Sequence, residues 1–219
     1  MTISMFNVIE IIRTIPSVKM FEMDGLTIAQ YNCFPHNDVG VWTHTDYLVH
    51  VLSAEVSWRS SSGTHKAHAG ESVFFKKGAR ILPEHAKTDL CIEVFFIPDA
   101  LIKETVMELS KELPDFQETV DPHELSIRVN ADTALSAFIH AMTIYFAGNE
   151  KPPVALLKLK MKELLTSILL NRSNPSLAAY LRSVTASEAP SISSIMEMNF
   201  HHNLSLDAFA QMCHRSLSS

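Results

Sequence analysis

The apolar residues of this chain change their period once, near Pro98. Before it they recur at every second position, the repeat of a strand with one covered face. After it they recur every three or four positions, the repeat of an amphipathic helix. The sequence therefore predicts an α+β chain, with a strand-rich first half and a helical second half.

The longest alternation runs from Asp46 to Trp58. Leu48, His50, Leu52, Ala54, Val56 and Trp58 share one face, which is expected to point inward. Tyr47, Val49, Val51, Ser53, Glu55 and Ser57 share the other. Val18 to Met23 and Thr27 to Phe34 flank Asp24-Gly25, a hairpin turn signal. Ser60 to Gly63 reads as a turn. Ser72 to Phe75, Arg80 to Leu82 and Leu90 to Ile97 continue the series, the last with Leu90, Ile92, Val94 and Phe96 on one face. Many short strands with regular turns predict a β-barrel or jelly roll over residues 1–98.

Beyond Pro98 the spacing predicts helices over Leu101 to Leu113 and Ala131 to Ala147, the latter stopped by Gly148. A third opens at Pro152-Pro153, suited to a first turn, and runs to about Asn171. Leu157, Met161, Leu164 and Ile168 step along it by four, three and four. That is a coiled-coil-like seam for a twin helix, with an ordinary core helix as the competing reading. A short helix near Ser176 to Arg182 ends this helical dimerisation region, residues 99–182. Ser183 to Pro190 (SVTASEAP) is small, polar and closed by proline, which makes it a linker. Ser191 to Phe200 reads as a further helix.

The last fifteen residues, SLDAFAQMCHRSLSS, read as a helix-turn-helix that stops where its second helix begins. Ser205 can cap the first helix. Leu206, Phe209, Ala210 and Cys213 form one stripe, which His214, Arg215 and Ser216 interrupt before Leu217. Residues 191–219 are thus expected to open a DNA-binding domain. The residues on its DNA side are Ser205, Arg215, Ser216 and Ser218. In such a motif the second helix enters the major groove.

Charge narrows the partners. The formal net charge is −6, and no run of Lys or Arg exists; Lys158, Lys160 and Lys162 come nearest and alternate with apolar residues. Gripping phosphates needs a basic patch, so this chain alone is not expected to hold nucleic acid. Cys33, Cys91 and Cys213 form no CxxC pair, which suits a reducing cytoplasm. The N-terminus lacks a basic leader, and no apolar run is long enough to span a bilayer. With no GxSxG, HExxH or phosphate-binding glycine loop, and only six glycines, the chain is not expected to be an enzyme or to bind a cofactor.

In this order of parts the chain resembles the AraC family of bacterial transcription regulators. The segment ISSIMEMNFHHNLSLDAFAQMCHRSLSS looks like the opening of that family's DNA-binding domain, with Leu204, Ser205, Leu206, Ala210 and Ser216 at positions its pattern favours. AGESVFFKKGARI, Ala69 to Ile81, resembles the hairpin of its cupin-like N-terminal domain, and VLSAEV, Val51 to Val56, the strand before it. PPVALLKLKMKELL, Pro152 to Leu165, is similar to the long helix of the subgroup that controls type III secretion genes. Two positions depart from the pattern: His214 stands where the turn usually has glycine, and Ala54 where the strand often does.

The resemblance implies a regulator that is a homodimer, reaches promoter DNA through a C-terminal domain beyond this sequence, and receives a small effector or a regulatory protein. Cupin barrels often hold a metal through three His and a Glu. Here His44 would fill the first position, Asp46 the second, His50 stands near the third, and Ile81 lies near the last, with His85 just after it. That set is depleted, so no metal is expected. Trp42, His44, His50, Trp58, Phe74 and Phe96 remain as a candidate effector pocket, combining apolar walls with a few polar groups. A filled core is the alternative for those six. For the chain as a whole, the alternative is a stand-alone cupin enzyme or metabolite-binding protein with a helical tail.

Overall fold

The computed structural model describes residues 5–23, 25–32, 38–60, 63–83, 90–114, 124–148, 150–186, 192–199, 204–213 and 216. Short strand β1 (Met5–Asn7) leads into helix α1 (Val8–Thr14), whose first turn is capped by the Asn7 side chain. Then follow β2 (Lys19–Met23), β3 (Leu26–Tyr31), β4 (Val39–Thr43), β5 (Asp46–Ser53), β6 (Glu55–Ser60), β7 (Gly63–His68), β8 (Ser72–Phe75), β9 (Gly78–Leu82) and β10 (Cys91–Ile97). Helix α2 (Asp99–Glu108) and strand β11 (Ser126–Val129) precede α3 (Thr133–Ala147), α4 (Val154–Leu170), α5 (Pro175–Ala186), α6 (Ile192–Asn199) and α7 (Leu206–Met212). The chain is of mixed α+β class, as its pattern of periods requires.

The strands form two sheets, ordered β1-β4-β9-β6-β7 and β11-β8-β5-β10-β3-β2. Neither sheet closes among the described residues, so the barrel alternative gives way to an open two-sheet arrangement. All pairings are antiparallel except β1 with β4. The two edge strands β1 and β7, together with β4, β11 and α1, carry no clear apolar alternation of their own, and the sequence pattern did not single them out.

One residue reshapes the expected long strand. Ala54 adopts φ +59°, a left-handed conformation that costs an L-residue roughly 1–2 kcal/mol. It breaks the span from Asp46 to Trp58 into β5, inside the six-stranded sheet, and β6, in the other. The alternation changes parity there. Tyr47, Val49 and Val51 face the space between the sheets, but so do Val56 and Trp58, whereas Leu48 faces the helices. The single inward face expected over Leu48 to Trp58 is therefore two faces joined at a kink. The residue that departs from the glycine pattern is the one that makes the turn.

Three cores result. The first lies between the sheets and is closed at one end by Val8 and Ile12 of α1. The second lies between the other face of the six-stranded sheet and helices α2 to α5, joining Phe21, Ile28, Phe74 and Phe95 to Phe138, Leu157, Leu164 and Leu177. Strand β11 returns from the helical region to edge the six-stranded sheet. The expected boundary at residue 98 thus divides neither the sheet nor its core. The third core is small. Trp42 and Ala79, on the outer face of the five-stranded sheet, meet Ile195 of α6 and Ala208, Met212 and Cys213 at α7.

Helix ends depart modestly from expectation. The helix expected to reach Leu113 ends at Glu108 and continues as turns. Helix α5 runs on to Ala186, so the first half of the expected linker is helical. Its Ser and Thr residues do not break the helix, because Ser183 Oγ and Thr185 Oγ1 donate back to the carbonyls of Tyr180 and Arg182. Residues 187–190 of that linker lie outside the described residues.

Candidate functional site

The structure does not gather the six pocket candidates into one place. Trp58 and Phe96 share the core between the sheets. Phe74 lies across the six-stranded sheet, in the helix-covered core, and Trp42 faces outward beneath α6 and α7. His50 is half-buried on the helix side of β5, where its Nδ1 shares a 2.8 Å hydrogen bond with Ser72 Oγ. Burial lowers its pKa. His44 sits half-buried on the turn between β4 and β5. The reason for the scatter is geometric: β4, β5 and β8 are buried on both faces, so alternation alone cannot tell one buried side from the other.

The interior between the sheets holds a charged residue that the pattern did not flag. Arg80 of β9 is 2% exposed. Its Nη1 donates to the Tyr47 hydroxyl at 3.0 Å and its Nη2 to the Lys76 carbonyl at 2.6 Å. The guanidinium lies over the Phe75 and Tyr47 rings, 4.6 and 5.0 Å from their centroids. Its Nε–H has no hydrogen-bond partner. Burial holds its pKa below the ordinary arginine value. With Trp58 and Phe96, this makes an aromatic-walled interior carrying one arginine and the phenols of Tyr47 and Tyr31.

A second buried polar group joins the β-rich part to the helices. Asp46, at the first residue of β5, is fully buried. The Tyr180 hydroxyl of α5 lies 2.9 and 3.0 Å from its two oxygens, and the Lys77 backbone N–H donates to Oδ1 at 2.7 Å. Lys77 Nζ turns instead to Asp99 at the start of α2, at 2.7 and 2.8 Å. Burial pushes the Asp46 carboxyl up to about 6, against the pull of Lys77 and the Tyr180 hydroxyl. Glu93 of β10 is a third such group. Its Oε1 accepts from Gln30 Nε2 at 3.1 Å, and burial pushes it up to about 7. A charged residue inside an otherwise apolar strand, as in CIEVFFI or GARIL, was the available signal for Glu93 and Arg80. Asp46 and Tyr180 gave none, since they are 134 residues apart.

The proposed dimer seam is corrected. Leu157, Met161 and Leu164 are fully buried and Ile168 is 1% exposed, all within the chain's own helix-covered core. Side chains with no surface left have none to offer a twin. The large apolar residues that helices α3 and α4 do expose are Ile144, Val154 and Leu159, at 56%, 41% and 65%.

At the C-terminal motif, Ser205 caps α7 as expected, its Oγ accepting from the Ala208 N–H at 3.1 Å. The expected stripe is rotated. Ala208, Met212 and Cys213 face the sheet, while Leu206 is 71% exposed. Asn199, at the end of α6, is buried, and its Oδ1 accepts from the Ala79 N–H at 2.8 Å. Ser216 is exposed; Arg215 and Ser218 lie outside the described residues, as do His85 and the Asp24 of the first hairpin. A shallow groove of about 510 Å³ between α2 and α5 is lined by Val106, Leu113, Ala179 and Arg182, and by none of the candidates. Among the described residues, no three His, Cys, Asp or Glu side chains are placed to hold a metal, and no helix is long and apolar enough to cross a membrane.

Comparisons with known proteins bear on this geometry. Residues 46–180, from the first residue of β5 to Tyr180, match the ExsA N-terminal regulatory domain. No curated protein matches the chain. Among solved structures, a variant of apo ToxT from Vibrio cholerae strain SCE256 shares 8% identity and a TM-score of 0.51, over 89% of this chain and 72% of that one. A second ToxT structure from Vibrio cholerae gives 9% identity and a TM-score of 0.48, over 89% and 73%. A cupin-2 domain containing protein from Shewanella frigidimarina gives 19% identity and a TM-score of 0.31, over 36% and 78%. Identities this low speak to fold alone. The family match covers more than half of the chain, and the chain belongs to the ExsA N-terminal regulatory domain family, as the regulatory portion of an AraC-type transcription regulator.

Proposed function

We propose that this chain works by binding and pairing, not by catalysis, and that it receives its signal in the interior between the two sheets. The observation that carries the reading is Arg80. A buried guanidinium with an unused Nε–H, walled by Tyr47, Phe75, Trp58 and Phe96, offers apolar surface together with a few fixed polar groups, which is what small-molecule recognition needs. Trp58 and Phe96 stay in the proposed site; Trp42, Phe74, His44 and His50 leave it. The acids and imidazole nearest to it serve the fold: Asp46 meets Tyr180, Glu93 meets Gln30, and His50 meets Ser72.

Pairing is assigned to the outer faces of α3 and α4, through Ile144 and Leu159, with a second copy as occupant. AraC-type regulators act as DNA-binding proteins and in many cases as dimers, and dimer geometry would set the spacing of the half-sites. Residues 191–219 would then open the part that faces promoter DNA, and the chain would work in the cytoplasm.

Thermal shift of the 219-residue chain against a metabolite panel tests the sensing reading, since a ligand that prefers the folded form raises the midpoint. A compound that raises the midpoint of the native chain and not of Arg80→Met supports it. A panel that leaves both unmoved overturns the small-molecule form and leaves a regulatory protein as the signal.

A further inference from the structure

We propose that the contact between Asp46 and Tyr180 is a proton-linked latch that seats α5 on the β-rich part of the molecule, and so fixes where the chain departs for α6. The latch is independent of what binds between the sheets.

Its geometry is that of a buried polar bridge near the middle of α5; the start of that helix is held separately, by Asn174, whose side chain bonds to the backbone of Asn130 beside β11. Asp46 begins β5, opposite Ile97 at the end of β10 that leads into α2, and has no exposed surface. Tyr180 of α5 reaches it with its hydroxyl, six positions before that helix ends at Ala186. The other α5 contacts with the core are apolar, through Leu177, Ala178, Leu181 and Val184. Docking of α5 closes the Asp46 carboxyl off from solvent. Undocking reopens it.

The charged groups around Asp46 do not cancel that cost. On the turn between β8 and β9, Lys77 supplies its backbone N–H to Asp46 but commits its ammonium to Asp99 of α2. The Asp99 charge itself opposes ionisation of Asp46. Lys76 Nζ lies 4.9 Å from the centroid of the Tyr180 ring. Arg80 attracts Asp46 through space but hydrogen-bonds to Tyr47 and the Lys76 carbonyl. His44 lies on the turn just before β5. On α5, Tyr180 contributes its neutral phenol, and Arg182 points away to the Pro114 carbonyl.

The sign of the coupling follows. With its carboxyl raised to about 6 from an ordinary 3.8, docked Asp46 holds a proton that undocked Asp46 releases. Docking is therefore tightest below pH 4, weakens as pH rises towards 6, and levels off above it. One proton limits the change to tenfold in the opening equilibrium per pH unit.

Hydrogen exchange of the 219-residue chain at pH 5, 6 and 7, corrected for intrinsic rates, reads this directly. We expect opening across residues 175–186 to fall several-fold from pH 6 to pH 5. Asp46→Asn should abolish that slope and hold protection at or above the native level at pH 5. Tyr180→Phe should weaken protection at every pH yet keep the slope, because its ring still excludes water. Glu93→Gln should leave the slope in α5 unchanged. A flat native profile, a slope that survives Asp46→Asn, or one that disappears in Glu93→Gln each overturns the proposal. Should Asp46→Asn fail to fold, the Asp46 carboxyl carbon resonance followed against pH decides. A midpoint near 6 supports the latch, and one at the ordinary aspartate value overturns it.

Discussion

Two sheet faces in this molecule are covered by helices, and they are covered very differently. The helix-side face of the six-stranded sheet is sealed by α2 to α5 in a core of 27 described buried residues, including five phenylalanines. The outer face of the five-stranded sheet meets α6 and α7 through six, four of them from those helices, and one side-chain hydrogen bond from Asn199. At about 25 cal/mol per Å² of apolar area, the first contact dominates folding and the second adds a small increment. A regulator needs both kinds: one interface held by a large apolar core, in which only α5 at the margin is released by the Asp46 latch, and one whose opening as a whole is within reach of a binding event.

The largest effect that would sharpen this contrast lies in α4. Leu164→Ala should cost about 2–5 kcal/mol, because the surrounding core cannot collapse around the void. Leu164→Glu should prevent folding. Denaturant melts check both. By contrast, Ile144→Glu and Leu159→Glu should leave the melt unchanged and convert a dimer to a monomer, as read by sizing with light scattering. A folded, monomeric Leu164→Glu would restore the seam to the interface.

Next in size is the pH dependence of the sealed face. Glu93 is buried on the helix side of β10 and raised from 4.5 to about 7; Asp46 at its margin is raised to about 6. For an acid raised on folding, the folded state binds the proton more tightly. Stability is then highest below the ordinary values and falls as pH climbs through 4.5 to 7, by at most about 1.4 kcal/mol per unit per group. Melting midpoints should rise on acidification from pH 7.5 to 5.5. Glu93→Gln should flatten most of that rise above pH 6, where Asp46 no longer contributes. A native midpoint that falls over this range would mean that the acids are hydrated.

How much of this was legible beforehand differs between the same two faces. The sealed face was readable helix by helix, because the buried positions of α3 and α4 recur at steps of three and four, with Gly148 stopping the first and Pro152-Pro153 opening the second. Its partner was not. A stripe of Leu157, Met161, Leu164 and Ile168 has the same spacing whether it meets a twin or a sheet, and only the sheet's second buried face decides between them. The lightly covered face was misread at the level of single residues. Phe209 packs at the margin of this core, but Leu206 of the expected stripe is 71% exposed, and Ala208 and Met212 from outside it are buried with Trp42, since a close approach to a sheet favours a small residue beside an adaptable one. The kink at Ala54 was half legible: the glycine position was marked, but the parity change it imposes was not drawn.

That kink offers a smaller test. Ala54→Gly should raise stability by less than about 1 kcal/mol, since removing the left-handed penalty outweighs the added chain entropy of glycine only slightly. Ala54→Val should lower it. An equal loss for both would mean that the Ala54 methyl, which packs against the core between the sheets, matters more than its backbone.

The smallest expected effect on overall stability is the one that most directly tests the contrast. Met212→Ala removes a side chain that is 3% exposed, and in the sealed core such a change would lower the melting midpoint by several degrees. Beneath α6 and α7 it should leave the global midpoint nearly fixed, because that contact opens before the rest unfolds. The loss should appear locally instead, as faster hydrogen exchange in residues 192–199 and 204–213 and at the Ala79 amide, whose partner is Asn199. Asn199→Ala should expose the same amide while leaving Met212 in place, so the two variants together separate apolar contact from hydrogen bond. If Met212→Ala instead lowers the global midpoint as Leu164→Ala does, α6 and α7 belong to the folding core, and the two faces differ only in size.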